Sequence, residues 1–162
     1  MNNIDKKTGS NNPSRRSLLK VAGAGAVALA SPVFIRSAFA AAPIRVLLVD
    51  DHAVVREGLR TFLELQDGIE VVGEAADGEA GVREARRLEP DVVLMDLVMP
   101  GLDGVGAMRA LRAAGAAGRV IVLTSYHDDE RLLPAVQAGA AGYLLKSVEP
   151  SELARAIRAA HA

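Results

Sequence analysis

Five short apolar runs, each followed by a stretch of helical spacing, limit what this chain can fold into more than any other feature. They are Ile44–Val49, Ile69–Ala75, Val92–Met95, Arg119–Thr124 and Ala141–Leu145. Short runs rich in Val, Ile and Leu and bounded by turn residues read as strands buried in a parallel sheet. Between them, about His52–Gln66 puts Val55, Leu59, Phe62 and Leu63 on one helical face. About Glu79–Leu88 has only a thin apolar face of Ala80, Val82, Ala85 and Leu88. Gly104 to about Ala114 turns Val105, Met108 and Leu111 inward, and Pro150-Ser151-Glu152 opens a last helix with Leu153 and Ile157 inward. The acidic Asp128-Asp129-Glu130 suits the start of a fourth helix, since carboxylates favour the positive end of the helix dipole. Pro134 removes a hydrogen bond from that helix, which is expected to start late or to kink. Strands alternating with helices across short loops imply parallel βαβ units with right-handed crossovers. The expected architecture is α/β, a three-layer α/β/α sandwich around a five-stranded parallel sheet.

The strand ends carry the chemistry. Asp50-Asp51 closes the first run, Asp96 the third, Thr124 the fourth and Lys146 the fifth. In an open parallel sheet, ligands bind outside the carboxyl ends of the strands. Three acids, a hydroxyl and an amine are thus delivered to one edge, a set suited to a metal ion and a phosphoryl group. Taken singly, each has a plainer role. Asp50 or Asp51 would cap the next helix, Thr124 and Tyr143 would fill strand positions, and Lys146 would sit in solvent. His52, His127 and His161 show no metal-ligand spacing, and solvent exposure is expected for all three.

Composition removes several alternatives. Cysteine is absent from the 162 residues, so disulfides, thiol nucleophiles and cysteine-held metals are excluded. Aromatics are 3 % and tryptophan is absent, which leaves an aliphatic core. The net charge of -1 hides an asymmetry: residues 1–40 carry +5 and the remainder -6. An acidic body argues against nucleic-acid binding, where phosphate contacts dominate affinity.

Residues 1–40 read as an address. A polar, basic start contains Ser14-Arg15-Arg16-Ser17-Leu18-Leu19-Lys20, an Ala/Gly-rich apolar run follows from Val21, and Ala38-Phe39-Ala40 supplies a small-residue cleavage site. The stretch resembles a twin-arginine export signal, with cleavage expected after Ala40. A fused or wrongly chosen start is the other reading. The apolar run is short of the roughly 20 residues a membrane span needs.

Asp50-Asp51, Asp96 in Asp96-Leu97-Val98-Met99-Pro100-Gly101-Leu102-Asp103-Gly104, Thr124 and Gly142-Tyr143-Leu144-Leu145-Lys146 together resemble the receiver domain of two-component response regulators. The resemblance spans about residues 43–162 and is nearest to receivers of the LuxR/NarL type. It implies the flavodoxin-like, CheY-like strand order 2-1-3-4-5. It implies Mg2+ held by Asp51, Asp96 and the Val98 carbonyl, with Asp50 holding ligand waters. It makes Asp96 the phospho-acceptor, assisted by Lys146 and Thr124, and gives Tyr143 a switching role with Thr124. Crowded carboxylates repel one another, and a hard dication with oxygen ligands relieves that. A carboxylate can take a phosphoryl group as an acyl phosphate, and such transfer asks mainly for positioning and charge neutralisation.

The resemblance further implies a histidine kinase as donor, an output protein the sequence does not name, and a possible homodimer on phosphorylation. The chain would catalyse its own phosphorylation and dephosphorylation while serving mainly as a switch. Ser147 stands where many receivers have proline, as in regulators that carry a LuxR- or NarL-type DNA-binding helix-turn-helix, but the chain ends at Ala162, so the expectation is a stand-alone or truncated receiver that does not itself bind DNA. Val98 and Tyr126 stand where relatives often carry polar groups that orient water, which suggests slow self-dephosphorylation. A kinase using cytoplasmic ATP favours a cytoplasmic location, against the periplasmic one that the leader suggests. Two other classes stay open: a phosphorylation-independent interaction module, and a flavodoxin-like cofactor binder. The second lacks the Ser/Thr/Gly-rich phosphate loop, because Asp50-Asp51-His52 occupies that place.

Overall fold

Side chains along a strand point alternately to opposite faces, and in this chain both sets are aliphatic, so both faces of the sheet have to be covered. The computed structural model describes residues 42–125 and 129–162. The leader expected over 1–40 lies outside the described residues, as do Tyr126, His127 and Asp128. The elements in chain order are β1 (Ile44–Val49), α1 (Ala53–Glu64), β2 (Ile69–Ala75), α2 (Gly78–Leu88) and β3 (Val92–Asp96). They continue as α3 (Gly104–Ala113), β4 (Arg119–Thr124), α4 (Asp129–Ala138), β5 (Gly142–Leu145) and α5 (Pro150–His161). All neighbouring strands pair in parallel, in the order β2-β1-β3-β4-β5. This is the expected sandwich and the expected strand order.

Alternation sorts the core into two layers. Leu47, Val49, Val93, Met95 and Val122 face Ala85 of α2, Val105, Met108 and Leu111 of α3, and Ala135 of α4. Val46, Leu48, Val92, Leu94, Ile121 and Leu123 face Leu63 of α1 and Leu153 and Ile157 of α5. Each such fully buried aliphatic side chain stabilises the fold by about 2 kcal/mol.

The thin apolar face of α2 packs by another route. Gly81 brings the helix backbone so close to β1 that a Cβ there would lie 2.7 Å from Val49 Cγ1. Ala80, Val82 and Leu88 then pack on the core while only partly buried. The Asp77 carboxylate starts the helix by accepting the Ala80 N–H at 2.7 Å.

The fourth helix opens within the acidic stretch that suits a helix start. It begins at Asp129, without the late start that Pro134 suggested, and it carries Pro134 in its interior. Packing of Ala135 and Ala138, 1 % and 7 % exposed, offsets the hydrogen bond that the proline removes.

Candidate functional site

The sheet order makes the site. Asp50 follows β1 directly, and Asp96 is the last residue of its neighbour β3. Lys146 follows β5, two strands away from β3, and its backbone N–H donates to the Thr124 carbonyl at 2.7 Å. From there its long side chain reaches back across the edge. Lys146 Nζ donates to Asp96 Oδ2 at 2.7 Å and lies 2.9 Å from Asp50 Oδ2. Oxygen or nitrogen atoms of Asp50, Asp51, His52 and Asp96 all lie within 4.8 Å of one another.

Backbone groups fix the acids in place. The His52 N–H donates to Asp50 Oδ1 at 2.8 Å, and the Val98 N–H donates to Asp96 Oδ1 at 3.2 Å. Asp50 therefore does not cap α1 but braces the turn that precedes it. Past Asp96 the chain folds back on itself: the Gly104 N–H donates to the Leu97 carbonyl at 3.1 Å. A Cβ at Gly104 would lie 2.2 Å from the Asp96 carbonyl oxygen, so only glycine lets α3 start against the strand end.

Burial sets the electrostatics. The side chains of Asp50 and Asp96 are 1 % and 2 % exposed. Burial pushes the Asp96 carboxyl above its ordinary range, more than the Lys146 hydrogen bond and charge pull it down, and the Asp50 charge adds to the rise. For Lys146, burial pulls downward but is outweighed by the Asp96 hydrogen bond and by the nearby carboxylates of Asp96 and Asp50, so the ammonium is held above its ordinary value. Asp50 Oδ2 and Asp51 Oδ1 are buried without a hydrogen bond. Asp50 Oδ2 has its ion-pair contact with Lys146, and Asp51 Oδ1 lies 2.8 Å from His52 Nδ1, but neither contact has hydrogen-bond angles. Anionic oxygens left in this state fit a divalent cation.

The remaining expected residues lie around this centre. Thr124 is fully buried at the end of β4, and its hydroxyl donates to the Ser125 carbonyl at 3.2 Å. Tyr143 is half-buried on β5, opposite Val122, and packs against the core layer that includes α4. The Val98 side chain is exposed at the mouth of the site.

Three features escaped the sequence reading. His52 is solvent-exposed as expected, but its Nδ1 stands 3.2 Å from Asp50 Oδ1 and 2.8 Å from Asp51 Oδ1, inside the acidic cluster. Spacing rules for metal ligands look for other histidines and cysteines, and so pass over a histidine whose companions are aspartates. Arg56 donates to the Asp50 carbonyl at 2.7 Å through Nη1 and to Glu74 Oε2 at 3.2 Å through Nε, pinning the strand end from α1. Arg131 of α4 donates to Asp103 Oδ2 at 2.9 Å, while Asp103 Oδ1 accepts the Gly106 N–H at 2.8 Å as the cap of α3. His161 lies 3.9 Å from Asp91 Oδ1, away from the site, and His127 is outside the described residues.

A family model described as the response regulator receiver domain matches residues 46–158. The chain belongs to that family. This receiver is 55 % identical over 117 residues to the transcriptional regulatory protein LiaR of Bacillus subtilis, covering 72 % of this chain and 56 % of that one. It is 40 % identical over 120 residues to the nitrate/nitrite response regulator NarL of Escherichia coli, covering 74 % and 56 %. The chain thus spans about half the length of the curated relatives it matches. Among solved structures, the receiver domain of a NarL response regulator from Mycobacterium tuberculosis superposes with a TM-score of 0.71 at 36 % identity, covering 75 % of this chain and 98 % of that one. The response regulator ChrA of a haem-sensing two-component system gives 0.65 at 45 % identity, covering 75 % and 58 %. Receivers generally bind Mg2+ at an acidic pocket, and this chain has a cluster of aspartates at its strand ends.

Proposed function

We propose that this receiver accepts a phosphoryl group on Asp96 from the phosphohistidine of a sensor kinase, with Mg2+ held by Asp51, Asp96 and the Val98 carbonyl, and with Asp50 orienting ligand waters. The observation that carries the reading is the 2.7 Å contact of Lys146 Nζ with Asp96 Oδ2 inside a cluster of three aspartates. An Asp96 carboxylate oxygen attacks phosphorus. The new P–O bond forms as the bond from phosphorus to the donor breaks, and the donor leaves with the electron pair. Mg2+ would supply charge neutralisation for the phosphoryl oxygens. Lys146 is near enough to both buried acids to follow the developing negative charge, and the Thr124 hydroxyl can exchange its Ser125 partner for a phosphoryl oxygen.

The switch follows from that exchange. An added phosphoryl group carries up to about two negative charges. Movement of Thr124 toward it opens space beside β5 that Tyr143 can enter, which shifts the population of packings on the α4 side. Residues 43–162, with a net charge of -6, carry this switch and not a DNA contact. Incubating the full chain with Mg2+ and acetyl phosphate should raise its intact mass by one phosphoryl group, and Asp96→Asn should abolish the gain. An unchanged wild-type mass would leave a phosphorylation-independent interaction module as the better reading.

The same reading puts the working protein in the cytoplasm, where the kinase has its ATP. Protein made in its own host should retain residues 1–40. Recovery of a periplasmic form starting at Ala41 would contradict this.

A further inference from the structure

We propose that Arg56 is a positioning residue for the cation site: through the Asp50 carbonyl it fixes the peptide that carries Asp51, and so sets how well the acids hold their ion. The proposal rests on the reading of Asp51 and Asp96 as metal ligands. The sheet ends just before that peptide. The Asp50 N–H still donates to the Ala75 carbonyl of β2 at 3.1 Å, whereas Asp51 and His52 lie beyond the strand and ahead of α1. A helix start is ordinarily anchored by a side chain at its cap, but the His52 side chain makes no capping bond, and the first turn of α1 holds no acid.

Arg56, one turn into α1, supplies an anchor. Its Nη1 donates to the Asp50 carbonyl at 2.7 Å and its Nε to Glu74 Oε2 of β2 at 3.2 Å. That carbonyl belongs to the planar peptide joining Asp50 to Asp51, so holding it limits the dihedral angles on either side, which aim the Asp51 side chain. Asp51 Oδ1 is buried without a hydrogen bond, so its aim depends on the backbone that carries it. The 2.8 Å bond from the His52 N–H to Asp50 Oδ1 closes the turn locally, and the guanidinium ties it to α1 and β2. A guanidinium holds its N–H groups in a rigid planar fork, which the point charge of a lysine cannot reproduce. The fork is well covered, with Arg56 17 % and Glu74 25 % exposed, so its charge-assisted bonds are shielded from water. Arg60, a further turn along α1, also donates to Glu74. Among the described residues its bonds go to Glu74 and Glu64, and none to the Asp50 carbonyl.

Mg2+ titrations of the full chain decide the matter, read by calorimetry and by the Mg2+ dependence of phosphorylation from acetyl phosphate. Arg56→Lys keeps the charge and loses the fork. It should lower Mg2+ affinity about tenfold, the usual cost of losing a group that orients a metal ligand. The rate at saturating Mg2+ should stay near that of the wild type, because the contact of Lys146 with Asp96 is untouched. Glu74→Gln weakens the other arm of the fork and should move the Mg2+ midpoint the same way by less, which gives the same test should Arg56→Lys not fold. Arg60→Gln should leave the midpoint in place. Wild-type Mg2+ affinity in Arg56→Lys and Glu74→Gln, or an equal loss of affinity in Arg60→Gln, would overturn the role of Arg56 while leaving the aspartates as ligands. Mg2+ that fails to bind the wild-type chain, or binds Asp51→Asn equally well, would remove the acidic metal site itself and the positioning role with it.

Discussion

Lys146 Nζ stands between two carboxylates that are almost wholly out of water, at 2.7 Å from Asp96 and 2.9 Å from Asp50. Replacing it with methionine would keep the packing of its stem but leave two buried charges facing each other. Lys146→Met should lower stability by about 3 kcal/mol near neutral pH, read as the shift in urea midpoint. The pH dependence has a definite sign. Asp96 is held above its ordinary value, so the folded chain takes up that proton at higher pH than the unfolded one does. Its charge therefore detracts from stability at neutral pH, and the effect fades as pH falls into the carboxylate range. The Lys146 shift is upward, so its contribution is full at neutral pH and is lost only as pH rises beyond the ordinary lysine range. The deficit of Lys146→Met should accordingly shrink toward acid pH. Asp50, Asp51, Asp96, Thr124 and Lys146 were legible in the sequence because each sits where an apolar run stops. Arg56 and His52 were not, because a charged or polar residue at a helix start looks the same whether it meets solvent or a strand end.

Among the elements, the junction of β3 and α3 does most to shape the site. Gly104 allows α3 to begin against the Asp96 carbonyl, and Asp103 caps the helix while holding Arg131 of α4. Gly104→Ala would force a Cβ to within 2.2 Å of one backbone atom and 2.8 Å of another, and backbone cannot move aside as a side-chain tip can. It should destabilise the fold by about 1–3 kcal/mol in urea unfolding and weaken Mg2+ binding in calorimetry. Strand limits and the inward faces of α3 and α5 could be read from apolar spacing alone. The packing of α2 could not, because Gly81 contributes closeness and no apolar side chain. Nor could the run of α4 through Pro134, where burial of Ala135 and Ala138 outweighs the local objection of the proline.

At the scale of the whole molecule, the parallel order β2-β1-β3-β4-β5 sets β1 beside β3, and so Asp50-Asp51 beside Asp96, and leaves Lys146 within reach across β4. Strand and helix alternation supplied the layers and the parallel pairing. The order itself came from resemblance to receivers, since apolar spacing along each strand does not say which strand is its neighbour. Function depends on that order, because residues 46 positions apart in the chain meet only if β1 and β3 pair, as they do. The most direct test is chemical. An acyl phosphate is reduced by borohydride to the alcohol, which turns the modified aspartate into homoserine. After acetyl phosphate and Mg2+, peptide mapping of the reduced chain should find homoserine at residue 96. Homoserine at residue 50 or 51 instead, or at none of the three, would contradict the assignment of Asp96 as the phospho-acceptor.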